Sequence, residues 1–147
     1  MAYNTRQAVY ADLDQLQNLY LHLNMSEKLT NTPELDRLWQ EIITDSNYHI
    51  FVIEADDKLV ASCTLVVIKN LTHQMRPYAL VENVVTHTDY RNQGYGKTVL
   101  AKAINCAREY NCYKVMLLTG SKKESTLKFY ENAGFNQRDK TGFVQWL

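Results

Sequence analysis

The sequence predicts one mixed α/β domain over residues 1–147, with helices packed on a central sheet. Two observations carry this prediction. The apolar residues change along the chain from helical spacing to runs rich in β-branched and aromatic residues, and the two patterns then alternate. The resulting order of elements is β-α-α-β-β-β-α-β-α-β-β, and no linker, internal repeat or low-complexity segment interrupts it.

The N-terminal third is predicted to form a strand followed by two helices. Residues 4–9 are predicted as the strand, and Asp12 can cap a first helix whose apolar positions recur at helical spacing. Thr32 and Pro33 mark the start of the second helix, because threonine is a favoured cap and proline suits the first helical position.

The central part of the chain is predicted to form neighbouring strands. The runs HIFVIEA and KLVASCTLVVI are separated by Asp56 and Asp57, which indicates a hairpin. Pro77 opens a third strand, YALVENVVT, and a glycine-bearing turn then leads into a helix with one apolar face.

The C-terminal part is predicted to add three more strands and a last helix. YKVMLLT is predicted as a strand, and residues 124–133 as a helix that Gly134 ends in a left-handed cap. The runs FNQRD and GFVQWL are predicted to close the sheet as a pair of strands.

Composition excludes several classes of function. The chain has 16 Lys plus Arg and 16 Asp plus Glu, so we expect no nucleic-acid partner, which usually requires a basic excess. Its three cysteines form no CxxC pair and its four histidines have no metal spacing, so we expect no metal and a reducing compartment. No apolar run reaches the roughly 18 residues of a membrane span. We therefore expect a soluble cytoplasmic protein with no membrane partner and no signal peptide.

The stretch DYRNQGYGKT, residues 89–98, has the glycine spacing of a phosphate-binding turn. A Walker P-loop needs a glycine where Arg91 stands, and a dinucleotide fingerprint needs one where Val99 stands. Both motifs are therefore excluded, and Arg-x-x-Gly-x-Gly between a strand and a helix remains.

This turn suits a pyrophosphate. A helix start carries unpaired N–H groups and the positive end of the helix dipole. Gly94 and Gly96 lack a Cβ atom, so phosphate oxygens can approach the backbone closely. Arg91 and Lys97 add positive charge nearby. An ordinary glycine-bearing turn is the alternative that these six residues alone leave open.

Nearly the whole chain resembles the GNAT superfamily of acetyl-CoA-dependent N-acetyltransferases. VENVVTHTDYRNQGYGKTVLAKAI is similar to the family's motif A, a strand, then Arg/Gln-x-x-Gly-x-Gly/Ala, then a helix, and KFYENAGF is similar to its FYEK-x-GF helix end. The resemblance implies a GNAT-like fold: a central, mostly antiparallel twisted sheet of six to seven strands with a splayed parallel pair, flanked by about four helices.

The resemblance also implies that acetyl-CoA is the co-substrate, and it assigns the binding site. In such proteins a bulged strand splays from its neighbour and holds pantetheine, here along Val84, Val85 and Thr86. Arg91 and Asn92 would lie at the edge of the pyrophosphate site. The pyrophosphate itself would bind the backbone N–H groups of Gln93, Gly94, Tyr95, Gly96 and Lys97. Lys123 stands where many relatives have an asparagine that contacts CoA, and Ser121 and Ser125 are candidate substitutes.

The chemistry requires a base, a donor to the oxyanion and a proton for the leaving thiolate. Glu82 lies in an otherwise apolar strand, where burying a carboxylate is costly and raises its pKa, as suits a base. The alternative is that Glu82 binds substrate or pairs with an arginine. Tyr130 of FYENAGF matches the tyrosine that in many relatives points at the thioester sulfur, so it is the candidate acid. A backbone N–H near Val84 is the candidate oxyanion donor.

The resemblance implies that a primary amine of a small molecule attacks directly in a ternary complex. VENVV resembles the corresponding stretch of amino-sugar acetyltransferases within the superfamily, which implies an amino sugar or another small amine as acceptor. Because the first helix pair often lines the acceptor pocket in this family, Tyr20, Tyr78 and residues 22–24 are candidates for it. A protein or peptide acceptor, a non-catalytic CoA-binding module and an enzyme acting on charged transfer RNA are the alternatives; the zero net charge disfavours the last. A homodimer is common in the superfamily, and the C-terminal strands would help to form it.

Overall fold

A computed structural model describes residues 2–23 and 25–147 and contains a single five-stranded mixed sheet. The strands lie in the order β1-β2-β3-β4-β5, and every neighbouring pair is antiparallel except β4 and β5, which are parallel. Their bounds are Asn4–Gln7, Tyr48–Ala55, Lys58–Ile68, Tyr78–Thr86 and Val115–Met116.

Five helical segments flank the sheet in the described ranges, one more than the sequence predicts. Their bounds, for α1 to α5, are Leu13–Tyr20, Pro33–Thr44, Thr72–Met75, Tyr95–Glu109 and Glu124–Asn132. The additional segment, α3, is a single turn in the polar connection between β3 and β4, and it contains left-handed residues. No helix in the described ranges has the length and apolar character that crossing a bilayer requires.

The sheet has an apolar core on each face. The α4 face buries residues such as Phe51, Leu65 and Leu100, and the opposite face, beneath α1 and α2, buries residues such as Leu16 and Trp39. This sandwich of helices on both faces fixes β3 and β4 in the centre, where the site described below is built.

Three local predictions are confirmed. The Thr32 hydroxyl accepts a hydrogen bond from the Leu35 N–H at 3.2 Å, with Pro33 as the first helical residue. Asp56 and Asp57 both have positive φ, as a two-residue hairpin turn requires. Gly134 follows α5 with a φ of +99°.

The predicted count of six to seven strands is wrong. FNQRD and GFVQWL form no strand, and YKVMLLT pairs with β4 only at Val115 and Met116. A strand forms only where its N–H and C=O groups find a neighbouring edge. Within the described chain, residues 136–147 have no such edge, although their composition favours a strand.

Asp12 does not cap α1 with its side chain, contrary to the prediction. Its carboxylate instead accepts two hydrogen bonds from Arg6, at 2.6 and 3.0 Å, and one from the Val9 N–H at 2.7 Å. Arg6 also donates to Glu54 on β2. Burial opposes ionisation of Asp12, but Arg6 and the Val9 N–H outweigh it and hold the pKa of this carboxyl below its usual range. The network therefore ties the start of α1 to the sheet.

Asp12→Ala is expected to lower the free energy of unfolding by about 3 kcal/mol near pH 7, because Arg6 and the Val9 N–H lose their buried acceptor. A depressed folded-state pKa stabilises the fold above the unfolded pKa, and this contribution is lost as pH falls through the folded value. The difference between wild type and variant should therefore shrink near pH 3. Urea unfolding at both pH values measures it.

Asp14→Ala is the matched control, because Asp14 pairs with Lys28 on the surface and should contribute at most about 1 kcal/mol. Equal losses in the two variants would show that the Asp12 network contributes no more than an exposed ion pair.

Candidate active site

Strand β4 carries a bulge at the position that the resemblance implies. Thr64 on β3 lies opposite Glu82 and Ser62 lies opposite Val85, so Asn83 and Val84 together oppose one residue, Cys63. Asn83 takes a φ of +52°, a conformation that asparagine tolerates better than most residues. Such a bulge bends the strand and re-aims its side chains.

Beyond the bulge the parallel pair splays apart. β4 and β5 pair only between Ala79 and Val115 and between Leu80 and Met116. No strand in the described part of the chain covers that edge of β4 further along. The backbone groups there, including those of Val84, Val85 and Thr86, can therefore hydrogen-bond to an extended ligand.

A cleft of about 530 Å³ follows this edge from the splayed strands to the start of α4. Its lining includes nine of the ten residues predicted to bind the co-substrate: Val84, Val85, Thr86, Arg91, Asn92, Gly94, Tyr95, Gly96 and Lys97. The tenth, Gln93, does not line the cleft, because its side chain donates to the Asp89 carbonyl at 3.3 Å. Its backbone N–H still belongs to the turn.

The two glycines of the turn have different steric requirements. Gly94 precedes α4 with a φ of +86°, which an L-residue adopts only with strain. A Cβ atom on Gly96 would lie 3.2 Å from the Thr86 hydroxyl oxygen and 3.3 Å from the Phe129 ring. The Arg91 Nε donates to the Thr86 carbonyl at 3.2 Å, which fixes the turn against the end of β4. The start of a 15-residue helix is thereby presented to the cleft.

Glu82 is exposed, so the predicted burial of its carboxylate is wrong. The side chain stands on the open α1/α2 side of the bulged strand, where solvent reaches it. Its negative charge nevertheless contributes to raising the pKa values of both Tyr48 and Tyr130, after the larger effect of burial. The charge of Glu82 therefore acts on the hydroxyl of Tyr130 across the bulged strand.

Tyr130 is half-buried on α5 and lines the cleft. Its ring packs edge-on against Phe129 and Phe135. Burial raises the pKa of its hydroxyl above the ordinary value, and the charges of Cys63 and Glu82 add to the effect. The hydroxyl therefore stays protonated at neutral pH and can donate.

The cleft also contains residues beyond the ten predicted to bind the co-substrate. Three of them had been singled out in the sequence for other reasons: His22 for the acceptor pocket, Lys123 at the position of the usual asparagine, and Ser125 as a substitute contact. Ser121, the other substitute, instead donates to the Thr126 hydroxyl at 3.1 Å. The sequence analysis missed Tyr90, Thr126 and Phe129. Phe129 adjoins Tyr130 in the recognised motif, so its apolar side chain was a usable signal.

The residues predicted for the acceptor pocket do not all line the cleft. Tyr20 is half-buried beside Ser62 and Thr64, and burial raises its pKa to about 12. Tyr78 lies at the opposite end of β4 from the cleft and packs on Tyr113. Among residues 22–24, His22 lines the cleft and Asn24 lies outside the described residues.

Comparisons with known proteins agree with this geometry. A sequence model described as the acetyltransferase (GNAT) family matches residues 13–135. Glucosamine 6-phosphate N-acetyltransferase of Trypanosoma brucei brucei is 28% identical over 129 residues, 84% of this chain and 86% of that protein. A solved structure from Agrobacterium tumefaciens str. C58, named as a proposed acetyltransferase, is 42% identical with a TM-score of 0.91, over 98% of this chain and 99% of its own. Glucosamine-6-phosphate N-acetyltransferase of Arabidopsis thaliana, 22% identical, has the same fold, with a TM-score of 0.87 over 99% of both chains.

Proposed function

The chain belongs to the GNAT family of acetyltransferases, and we propose that it transfers an acetyl group from acetyl-CoA to the primary amine of a small molecule. The observation that carries this proposal is the cleft that joins the splayed edge of β4 to the glycine turn before α4. An extended chain ending in a pyrophosphate fits such a cleft, because free backbone groups are followed by a positive helix end.

Each end of the cleft would hold a different part of acetyl-CoA. Val84, Val85 and Thr86 would hydrogen-bond the pantetheine arm through their backbone groups. The N–H groups from Gln93 to Lys97 would hold the pyrophosphate, with Arg91 and Asn92 beside it. The close approach of Gly96 to Thr86 and Phe129 supports this assignment, since a side chain there would fill the turn.

The proposed reaction is direct attack in a ternary complex. Glu82 would take a proton from the ammonium form of the acceptor, directly or through water. As the C–N bond forms, a backbone N–H near Val84 would donate to the carbonyl oxygen, where negative charge develops. When the C–S bond breaks, Tyr130 would protonate the CoA thiolate, and the nitrogen of the new amide would release its second proton to solvent. Solvent would return a proton to Tyr130 and accept the one held by Glu82.

The cysteines favour direct attack over an acetyl-enzyme intermediate. Burial raises the pKa of Cys63 to about 12, and burial is also the main cause of the raised pKa values of Cys106 and Cys112. A thiol is nucleophilic as its thiolate. None of the three is therefore set up to accept the acetyl group.

We propose an amino sugar or a related small amine as the acceptor. The Trypanosoma relative is named for acetylation of glucosamine 6-phosphate, and the exposed Glu82 carboxylate suits a small ammonium group. A protein or peptide amine is the second acceptor class. A non-catalytic CoA-binding module is the alternative outside the enzymes, and it predicts affinity for CoA without turnover.

Calorimetric titration with acetyl-CoA tests the co-substrate, with ATP and NAD as controls. We expect binding of acetyl-CoA alone, followed by thiol release when glucosamine, glucosamine 6-phosphate and unrelated amines are screened. Equal binding of ATP would overturn the co-substrate assignment. Binding without thiol release for any amine or peptide would favour the CoA-binding module.

We also propose a homodimer formed through the C-terminal segment, residues 136–147. Phe143 and Trp146 are 90% and 92% exposed, and Val144 and Leu147 are exposed beside them. Leaving two large aromatic side chains in water is unfavourable. This segment favours a strand but has no partner strand in the described chain, and a second copy would supply one.

The double variant Phe143→Ser/Trp146→Ser is expected to convert a dimer of twice 17.1 kDa into a monomer, because it removes most of the apolar surface available for association. Sedimentation velocity measures the mass. Leu71→Ser is the control, since Leu71 is also 92% exposed but lies in the β3–β4 connection. A monomeric wild type, or dissociation caused by Leu71→Ser, would contradict the proposed interface.

A further inference from the structure

Two histidines from distant parts of the chain meet beside the cleft, and one of them lines it. His22 follows α1 and His87 follows β4, and their ring centroids are 4.2 Å apart. His22 lines the cleft together with Arg91. The ring of His87 also packs edge-on against Tyr90, another residue of the lining. The proposed reaction uses neither histidine.

Local backbone contacts fix the tautomer of both rings. The Nδ1 atom of His22 accepts from the Thr88 N–H at 3.4 Å and lies 2.7 Å from the Thr88 hydroxyl oxygen. The Nδ1 atom of His87 accepts from the Asp89 N–H at 3.2 Å. A backbone N–H can only donate, so each neutral ring carries its proton on Nε2. Both Nε2–H groups are therefore donors, and no acceptor for either is found among the described residues.

The charges around the pair favour an anion. Burial lowers the pKa of His22, and the positive charges of His87 and Arg91 lower it further. Asp89 opposes this effect, with its carboxylate 4.0 Å from the His87 Nδ1 and largely exposed. A bound anion would relieve the repulsion between His22, His87 and Arg91 and favour the protonated rings.

We propose that His22 and His87 form an additional phosphate-binding element, which donates through Nε2 to a phosphate oxygen held in the cleft. The phosphate comes either from CoA or from a phosphorylated acceptor amine. The inference rests on the proposed function for the identity of these ligands. It adds two imidazole donors to the backbone N–H groups of the glycine turn.

His22→Asn and His87→Asn are the test variants, because the amide oxygen can still accept from Thr88 or Asp89 while the Nε2 donor is removed. His73→Asn is the control, since His73 packs on Tyr113 in the β3–β4 connection. Dissociation constants for CoA and for acetyl-pantetheine, which lacks phosphates, form the first arm. KM values for glucosamine 6-phosphate and for glucosamine form the second.

If CoA supplies the phosphate, His22→Asn should weaken CoA binding about threefold to tenfold near pH 8, where the neutral ring donates through Nε2. Acetyl-pantetheine binding should not change. If the acceptor supplies the phosphate, only the KM for glucosamine 6-phosphate should rise. Equal effects on CoA and acetyl-pantetheine, or no effect in either arm, would overturn the proposal.

Nuclear magnetic resonance of the histidine ring protons gives a readout independent of catalysis. Inorganic pyrophosphate should shift the ring-proton resonances of His22 and His87 and leave those of His73 unchanged. This shift in a chain that neither binds acetyl-CoA nor turns over would leave the phosphate element standing and reject the acetyltransferase proposal. Unchanged resonances in a chain that does bind CoA would reject the element alone.

Discussion

Glu82→Gln is expected to lower kcat for the acceptor amine by about 10²- to 10⁴-fold, the usual contribution of a general base. Glutamine has nearly the same shape and cannot accept the proton. The dissociation constant of CoA should stay within about twofold, because Glu82 lies outside the cleft that holds the glycine turn. Steady-state kinetics and calorimetry on the same preparations measure the two effects.

The form of the kinetic loss distinguishes a base from a substrate-binding group. A base acts in the transition state, so its removal lowers kcat. A carboxylate that only binds the ammonium group contributes equally to ground and transition states, so its removal raises KM and leaves kcat unchanged. Glu41→Gln, on the exposed surface of α2, is the matched control. A loss confined to KM would reassign Glu82 to acceptor binding.

The apolar residues around Glu82 predicted a buried carboxylate, but the structure exposes this side chain. YALVENVVT is apolar on both sides of the residue, which is typical of a strand with two covered faces. The bulge at Asn83 and the open cleft change the environment of one side chain in this run.

Local signals predicted most of the fold, because caps and turns depend on a few adjacent residues. Thr32 with Pro33, Asp56 with Asp57, and Gly134 each specify a backbone conformation directly. The prediction of two C-terminal strands was wrong because strand pairing depends on residues that are distant in sequence. Pairing of residues 136–147 depends on an edge elsewhere, and composition alone does not supply one.

The candidate site was likewise predicted where it depends on adjacent residues, and missed where it depends on distant ones. Most of the co-substrate cleft comes from one contiguous stretch, residues 84–97, so a single motif located it. His22 follows α1 and Tyr48 begins β2, and neither lies in the motif that located most of the cleft. Asp12 has the residue type of a helix cap, but its carboxylate accepts from Arg6 on β1, and Arg6 also reaches Glu54 on β2, which only the fold brings near.

Tyr130→Phe is expected to lower kcat about 10²-fold while leaving thermal stability nearly unchanged. The substitution removes one hydroxyl and keeps the ring that packs against Phe129 and Phe135. Because burial raises the pKa of Tyr130 above 10.0, the wild-type hydroxyl should remain a proton donor throughout the neutral range. Loss of wild-type activity through ionisation of Tyr130 should therefore occur only above about pH 10, and this limb should be missing in the variant.

Tyr113→Phe is the matched control, because Tyr113 stacks on His73 and does not line the cleft. An acid catalyst that protonates the leaving thiolate contributes to bond cleavage and little to binding, so the CoA dissociation constant should not follow kcat. If Tyr130→Phe weakens CoA binding as much as it lowers kcat/KM, the hydroxyl holds the co-substrate instead. If it changes neither quantity, the thiolate leaves without help from this residue, and Tyr130 serves only the packing of α5 against the splayed strands.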